Sequence, residues 1–544
     1  MPNIHASKSH VRETSGPSPA KEEHQVVRAL GSISVATLTS RILGFVRDMV
    51  VALAFGAGGI TDAFLVAFRV PNILRRLLGE GALATAVIPV FTDYAVNRSR
   101  EEFARMLRAV LAAGLLALGI ATAVGIAAAP WILRVIAPGF EADPAQLSLA
   151  VLLTRVMFPY LVLVGLAALA MGALNTHGRF FASALGPALL NVGMIAAVLV
   201  LARRMEPPIV SLAIGVLVGG VAQLAAQLPS LRRCGLLVAP SRELRHPALA
   251  RVARLLVPAV FGLASAQVGV FVNTLLASLL PAGSISFLYY ADRIMEFPLG
   301  VFGVALATAA LPAMSRAAAA GDSRGVGATL MFVLGLSFYV TVPATVGLVL
   351  FRSPIVRVLF ERGQFTAADT VATAQALAWY AVGLVAFSGA HIAARAFYAV
   401  HAPGVAVKLG ILAVAVNVAV SVALMGPLAH SGLALAASIA AYVNFVALAL
   451  VARVRFGGFE LRRLGASLGR TLLASCALTV WCIGGLWLWP VAASRLVEAA
   501  WLAAAIGGGA VIFWTASALL GAPERIALLR LRSGRTGWTE GGAP

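Results

Sequence analysis

The segment ALATAVIPV, residues 82–90, recurs as ALATAALPA at residues 305–313, which is 223 positions later. The same displacement aligns ILRVI at 132–136 with IVRVL at 355–359. One match in so alanine-rich a chain carries little weight, but two matches at one offset indicate an internal repeat. Because six predicted helices separate the copies, both halves share one orientation, as in transporters built from parallel repeats. The repeat therefore predicts two six-helix lobes that lie side by side in the membrane, related by an axis normal to it.

The composition of the chain indicates a membrane protein. Hydrophobic residues make up 60% of the 544 residues and charged residues only 12%, whereas a soluble domain carries about 25% charged residues. Apolar runs reach the roughly 20 residues that a helix needs to cross a bilayer. A transmembrane barrel would instead show short segments of alternating hydrophobicity. The predicted fold class is an all-α, polytopic integral membrane protein of about 14 transmembrane helices, with two parallel six-helix lobes and a C-terminal helix pair.

Polar and turn-rich breaks divide the chain into fourteen predicted spans. Their limits are 27–55, 61–92, 106–130, 148–173, 180–202, 208–230, 253–281, 284–315, 326–351, 372–400, 406–427, 431–452, 468–490 and 496–520. The predicted organisation is a disordered cytoplasmic tail (1–26), an N-terminal lobe of helices 1–6 (27–230), a basic cytoplasmic linker (231–252), a C-terminal lobe of helices 7–12 (253–452), the extra helices 13–14 (453–520) and a basic cytoplasmic tail (521–544).

The basic residues behind the net charge of +20 lie mainly on one side of the predicted membrane spans. Arginines concentrate in 98–108, 232–254, 453–470 and 525–535, and all four segments fall on one side of the predicted spans. Positively charged loops stay cytoplasmic, so both termini are predicted to be cytoplasmic. The basic surplus thus reports topology, and nucleic-acid binding is not predicted.

Cofactor chemistry has no support in the sequence. Cys234, Cys476 and Cys482 show no paired spacing, so neither a disulfide framework nor a metal cluster is indicated. No G-x-x-x-x-G-K-[ST] phosphate loop occurs in the chain. We therefore predict neither a metal nor a nucleotide cofactor.

Charged side chains stand inside three otherwise apolar helices, where each costs about 2.5–3.5 kcal/mol on insertion scales. The segments are SRILGFVRD (40–48), TDAFLVAFRVPNILRRLLGEGA (61–82) and YYADRIMEFP (289–298). Gly44 and Pro298 interrupt the first and third segments, and bent helices of this kind line cavities. The charges are Arg41, Arg47 and Asp48; Asp62, Arg69, Arg75, Arg76 and Glu80; and Asp292, Arg293 and Glu296.

Six arginines against five acids leave positive charge in the predicted cavity. An arginine fork matches phosphate oxygens in pairs, which a lysine does not. We predict that Arg41, Arg47, Arg75 and Arg293 bind an anionic substrate, with Asp48, Asp62, Arg69, Arg76, Glu80, Asp292 and Glu296 as supporting cavity charges. The alternative is that these charges only pair with one another and hold the helices in register.

The three charged segments, with the G-ALATA-LP run that follows the third, closely resemble those of the MurJ (MviN) family of lipid II flippases. That family belongs to the multidrug/oligosaccharidyl-lipid/polysaccharide exporter superfamily. The resemblance extends from about residue 27 to helix 12, and helices 13 and 14 match in number and position. It implies functional positions at Arg41, Arg47, Asp62, Arg75 and Arg293, with Glu80 and Glu296 as further acids of the motifs.

The resemblance implies that the protein moves lipid II, the undecaprenyl-diphosphate-linked peptidoglycan precursor, across the bacterial inner membrane by alternating access. A monomer with membrane lipids and lipid II as partners, and with a groove for the lipid tail along helices 13 and 14, is expected. In some relatives a sodium site draws on acids in helices 7 and 11, and neither span contains Asp or Glu here. We therefore expect the membrane potential, rather than sodium, to drive transport.

Two other functions stay open at this stage. A flippase of another lipid-linked oligosaccharide, or a drug exporter of the same superfamily, would share the two lobes, although a drug exporter would favour an acidic cavity. A membrane enzyme that acts on polyprenyl phosphates would need an acidic metal-binding run or a catalytic histidine. The few acids on the predicted periplasmic side form no Asp-x-Asp or Asp-Asp-x-x-Asp run.

Overall fold

A computed structural model describes residues 19–77, 83–241, 243–490 and 494–532 of this chain. The regular elements in these ranges are all helical, without any strand. Within the same ranges, ten helices are long and apolar enough to cross a membrane, and a bent pair, Pro247–Leu263 with Gln267–Ser278, is an eleventh candidate. The predicted all-helical membrane fold is confirmed, and the count of fourteen spans stays a prediction.

The described part of the N-terminal half contains ten α-helices. They are α1 (Pro19–Phe55), α2 (Gly59–Leu77), α3 (Leu83–Asn97), α4 (Arg100–Ile136), α5 (Pro144–Met157), α6 (Tyr160–Asn175), α7 (Phe181–Ala184), α8 (Gly186–Leu201), α9 (Val210–Ala225) and α10 (Leu228–Arg233). Side-chain caps set several of the boundaries. Ser99 accepts a hydrogen bond from the Glu102 backbone at 3.2 Å, and α4 begins at the next residue.

The C-terminal half contains ten further helices in its described part. They are α11 (Pro247–Ser278), α12 (Ser284–Pro298), α13 (Ala305–Ala319), α14 (Ser323–Leu350), α15 (Arg352–Phe360), α16 (Ala367–Ala399), α17 (Pro403–Phe456), α18 (Leu461–Trp487), α19 (Arg495–Leu519) and α20 (Pro523–Arg532), with a π-helix, Leu299–Val304, between α12 and α13. Helix α17 covers predicted spans 11 and 12. It breaks at Ala429, whose backbone is not helical (φ 47°, ψ −131°), two residues after Pro427.

The helix boundaries follow the predicted repeat. Helix α1 ends at Phe55 and α11 ends at Ser278, which are 223 positions apart. The recurring segment places Pro89 in α3 and Pro312 in α13 at the same offset. The halves differ at the second match, because ILRVI continues α4 to its end whereas IVRVL lies in the separate short helix α15.

Three predicted segment boundaries shift. Of the tail predicted over 1–26, residues 1–18 lie outside the described residues, and the remainder belongs to α1, which begins at Pro19. Helix α11 begins at Pro247, within the predicted linker 231–252, because His246 caps it by accepting from the Ala248 backbone at 3.2 Å. Helix α20 lies in the predicted tail 521–544, of which 533–544 falls outside the described residues.

The two lobes share one hydrophobic core at one end of the bundle and have separate cores at the other. The shared core joins Ala52 and Phe64 of the N-terminal lobe to Tyr290 and Phe360 of the C-terminal lobe. A second core lies in the N-terminal lobe and includes the start of α11, and a third lies in the C-terminal lobe. We call the end where α1 finishes and α12 begins the sealed end, because the lobes are packed together there.

Backbone contacts between the lobes reinforce the sealed end. The Gln364 backbone N–H donates to the Leu53 carbonyl at 3.0 Å. Gly56 and Gly363 both have positive φ, and a Cβ on either would lie within 2.4 Å of a carbonyl of the opposite lobe. Only glycine combines this conformation with so close an approach, so the two glycines let the lobes meet backbone to backbone.

The C-terminal helix pair is fastened to the C-terminal lobe. Helix α18 packs on α14 and α19. The fully buried Glu498 of α19 accepts from Arg495 at 2.8 Å and pairs with Arg357 of α15 at 2.9 Å. At the far end of α19, Ser517 is hydrogen-bonded to Tyr339 of α14 at 2.6 Å. Polar anchors at both ends therefore hold the pair against one lobe.

Candidate functional site

Asp48 on α1 holds two of the predicted arginines together across the lobe interface. Its side chain is almost fully buried. Its Oδ1 accepts from Arg47 at 2.6 Å and from the Tyr289 hydroxyl at 2.9 Å, and its Oδ2 accepts from Arg293 at 2.8 Å. Because Arg47 lies on α1 and Arg293 on α12, one carboxylate joins two guanidinium groups from opposite lobes. We call Arg47, Asp48 and Arg293 the Asp48 cluster.

The Asp48 cluster carries a net positive charge. Two arginines share one carboxylate, which leaves one positive charge next to a buried acid. Arg47 is also fixed by Asn191 at 3.1 Å and Tyr289 at 2.9 Å, whereas the Arg293 side chain is 30% exposed. Arg293 reaches outward to Glu296 at 3.0 Å. An anionic ligand could therefore replace Glu296 at the exposed face of Arg293.

Two glycines make room for the arginines at this interface. A Cβ on Gly44 of α1 would lie 2.8 Å from Nη2 of Arg293, and a Cβ on Gly300 would lie 2.7 Å from Nη1 of Arg41. Gly44 thus gives space to an arginine of the other lobe, a role that the sequence interpretation as a helix interruption did not include. Gly300 belongs to the π-helix after Pro298, and such insertions are frequent at functional sites.

The remaining predicted substrate-binding arginines lie outside the Asp48 cluster. Arg41 is exposed and makes no hydrogen bond or ion pair with another residue of the described ranges. Arg75 is not part of the cluster. Its Nε donates to Asn72 at 3.1 Å, and its side chain lines a cavity in the N-terminal lobe. Arg76, next to it, is exposed at the end of α2. The structure therefore brings together two of the four predicted arginines.

Arg69 and Asp292 occupy the interface between α2, α11 and α12. Arg69 donates to the Val270 carbonyl at 3.2 Å and to the Thr274 hydroxyl, both on α11. Asp292 is half-buried and lies within the electrostatic reach of Arg69 and Arg293. Arg69 therefore links the lobes through neutral groups of α11, and Asp292 balances part of the surrounding positive charge.

Asp62 lies apart from the Asp48 cluster, and in the described residues its hydrogen bonds go to backbone and serine groups of α12 instead of to an arginine. It is buried at the sealed end, where it accepts from the backbone of Gly283 at 2.6 Å and of Ser286 at 2.8 Å, and from the Ser286 hydroxyl. These groups form the start of α12, whose first N–H groups have no partner within the helix. A negatively charged side chain is stabilised at that position, because the unpaired N–H groups give the start of a helix a partial positive charge. Asp62 is thus a cap that α2 supplies to a helix of the other lobe.

Sequence reasoning missed the neutral partners of the cluster, and one predicted residue is not described. Tyr289 and Asn191 hold Arg47 in place. Of the two, only Tyr289 could have been suspected from sequence, because it belongs to the charged segment 289–298. Asn191 is a single amide in the apolar helix α8, a pattern that does not point to any partner. Glu80 lies outside the described residues.

Comparisons with known proteins agree with this architecture. The family model described as Lipid II flippase MurJ matches residues 51–498. A lipid II flippase MurJ from Burkholderia cenocepacia is 39% identical over 432 residues, covering 79% of this chain and 84% of that protein. A probable lipid II flippase MurJ from Vibrio cholerae is 38% identical over 427 residues, covering 76% and 81%.

Solved structures share the fold. A structure of lipid II flippase MurJ in an inward closed conformation has a TM-score of 0.74 at 24% identity, covering 92% of this chain and 99% of that one. An inward-facing multidrug transporter of the MATE family has a TM-score of 0.61 at 16% identity, covering 81% and 98%. The family model spans more than half of the chain, and the curated relatives exceed 30% identity over most of it. This chain belongs to the MurJ family of lipid II flippases.

Proposed function

We propose that this protein, a multi-pass transporter of the bacterial inner membrane, moves lipid II from the cytoplasmic to the periplasmic leaflet. The observation that carries the proposal is the Asp48 cluster, in which arginines of opposite lobes share one buried carboxylate. A diphosphate offers several anionic oxygens at a spacing that suits two guanidinium forks. A diphosphate bound by both Arg47 and Arg293 would contact both lobes, so substrate binding would favour one arrangement of the lobes over another.

Arg41 and Arg75 extend the proposed binding path from the Asp48 cluster toward the cytoplasmic side, because both lie farther from the sealed end along α1 and α2. Arg41 is exposed beside the π-helix of the other lobe, and Arg75 lines a cavity of the N-terminal lobe. Both positions suit a headgroup that enters with its charge first. Glu296 pairs with Arg293 while no substrate is bound and yields that position to the diphosphate.

The proposed loading side is the cytoplasm. The arginine-rich segments 98–108 and 232–254 lie away from the sealed end, so the positive-inside rule makes the sealed end periplasmic and both termini cytoplasmic. With the shared core at the periplasmic end, the lobes separate toward the cytoplasm. This conformation suits substrate uptake by a monomer, since both arginines of the cluster come from one chain.

The C-terminal helix pair is proposed to accompany the lipid tail. Exposed apolar side chains such as Leu473, Val480 and Val511 cover α18 and α19. The polyprenyl chain stays in hydrocarbon throughout transport, so it needs an apolar surface next to the cavity rather than polar partners. The anchors at Glu498 and Ser517 keep that surface in a fixed relation to the C-terminal lobe.

Binding selectivity tests the proposed function. We expect the purified protein to bind lipid II more tightly than undecaprenyl phosphate, because the second phosphate engages a second guanidinium, and more tightly than a lipid-linked O-antigen unit. Affinities are measured by competition in nanodiscs. Equal affinity for lipid II and the O-antigen unit would favour another lipid-linked oligosaccharide as the substrate.

The membrane potential is proposed as the energy source. Outward movement of a negative headgroup is downhill by about 2.3 kcal/mol per charge at 100 mV, inside negative. Between α11 and α17, Asn417 donates to Asn273 at 3.0 Å and accepts from Ser421 at 3.2 Å. These side chains are neutral, and predicted spans 7 and 11 contain no Asp or Glu, which supports sodium-independent transport.

We expect valinomycin with potassium to slow the appearance of lipid II in the outer leaflet several-fold in cells that depend on this protein. Replacement of sodium by choline at constant potential should leave the rate unchanged. Loss of transport on sodium removal alone would contradict the proposed energy source.

A further inference from the structure

A cavity of about 60 Å³ lies inside the N-terminal lobe, beside Arg75 and away from the Asp48 cluster. Gln223 and Gln227, at the end of α9 and just beyond it, provide polar groups, and Ala167 and Ala168 of α6 provide an apolar wall. The cavity is partly open, and it has room for several waters or one small polar group.

Gln227 is buried in this wall with an unused acceptor. Its side chain is 1% exposed, its Nε2 donates to the Gln223 carbonyl at 3.4 Å, and its Oε1 has no donor among the described residues. Buried polar atoms nearly always have a partner, so an unpaired one needs an explanation. A ligand that brings a hydrogen-bond donor into the cavity supplies that partner.

Gln223 offers the complementary group. Its side-chain amide makes no hydrogen bond with another residue of the described ranges, and it occupies the space beside Gly186 of α8. A Cβ on Gly186 would lie 2.6 Å from Nε2 of Gln223. The cavity thus presents an acceptor on Gln227, a donor on Gln223 and alanine methyl groups between them.

We propose that this cavity binds the acetamido group of the sugar attached to the lipid diphosphate. The acetamido N–H donates to Gln227 Oε1, its carbonyl accepts from Gln223 Nε2, and its methyl group packs against Ala167 and Ala168. Arg75 at the same cavity attracts the neighbouring phosphate while the lipid enters, before the diphosphate reaches the Asp48 cluster. This inference rests on the proposed function, and it adds Gln223 and Gln227 as residues that determine substrate specificity.

The test compares two lipids that differ only at the acetamido position. Undecaprenyl-diphosphate-N-acetylglucosamine and undecaprenyl-diphosphate-glucose are titrated against the full-length protein in nanodiscs, with bare undecaprenyl diphosphate as the third ligand. We expect wild type to prefer the acetamido lipid by about ten-fold, the value of one buried hydrogen bond of about 1.4 kcal/mol.

Gln227→Leu should remove this preference and leave the affinity for bare undecaprenyl diphosphate unchanged. Gly186→Ala, which displaces the Gln223 amide, should reduce the preference without altering Gln227, so a folding defect of one variant leaves the other informative. Gln375→Leu, on the exposed face of α16, is the matched control and should behave as wild type.

The outcomes separate this inference from the proposed function. A wild-type protein that binds bare undecaprenyl diphosphate but does not distinguish the two sugars would overturn the acetamido site and leave the proposed function intact. An unchanged preference in Gln227→Leu and Gly186→Ala would overturn it as well. Failure of wild type to bind any of the diphosphate lipids would contradict the proposed function itself.

Discussion

Arg293→Ala and Arg47→Ala each abolish lipid II translocation while the protein still inserts and folds. Each substitution removes one guanidinium from the pair that is proposed to hold the diphosphate. Hydrogen bonds to charged groups contribute about 1.5–3 kcal/mol each, so the loss of a two-bond contact lowers the affinity at least about 100-fold. The measurement is complementation of flippase-depleted cells, with membrane abundance followed on a blot.

Arg155→Ala is the matched control for these variants. Arg155 also lies within a predicted span, but it donates to the Ile126 carbonyl at 3.2 Å and is outside the Asp48 cluster. It should complement as well as wild type. Growth supported by Arg47→Ala and Arg293→Ala at normal abundance would show that the arginines are static pins between helices, as the alternative interpretation holds.

Asp48→Asn destabilises the observed arrangement of the lobes and stops transport. The substitution keeps the shape of the side chain but removes the carboxylate that Arg47 and Arg293 share, so that Glu296 is the one acid still paired with Arg293 in the described residues. Removing one partner from a buried ion pair costs about 3–5 kcal/mol. We expect a lower melting temperature of the purified protein in detergent and no complementation.

A double substitution separates the stability of the cluster from its function. In Asp48→Ala with Arg293→Ala, the carboxylate and one guanidinium disappear together, so the cluster keeps the net charge of one that it has in wild type. The melting temperature should return toward that of wild type, whereas complementation should stay absent. If Asp48→Asn melts and complements as wild type does, the acid does not hold the two arginines in the working protein.

Much of the fold followed from sequence because its signals are periodic and repeated. The recurrence at 223 residues reappears in the ends of α1 and α11, Phe55 and Ser278, although the predicted spans 1 and 7 ended at 55 and 281. Apolar runs located most spans to within several residues. The break at Ala429 also falls in the short gap between the predicted spans 406–427 and 431–452.

The charged residues of the site were only partly assignable from sequence. Arg47, Asp48 and Arg293 were among the charges predicted for the cavity, but the sequence did not indicate that these three would meet. The role of Asp62 could not be predicted, since its partners are backbone N–H groups at the start of α12, which no side-chain pattern marks. Gln227 gave no signal either, because a neutral amide near a helix end usually lies in a solvated loop.

The most direct test of the central claim is the affinity of purified protein for undecaprenyl diphosphate, a ligand with the two phosphates and no sugar. The proposal predicts that wild type and Arg155→Ala bind it equally, and that Arg47→Ala and Arg293→Ala each weaken binding at least about 100-fold. Arg47→Ala and Arg293→Ala variants that bind this lipid as tightly as wild type would contradict the claim that the Asp48 cluster holds the diphosphate.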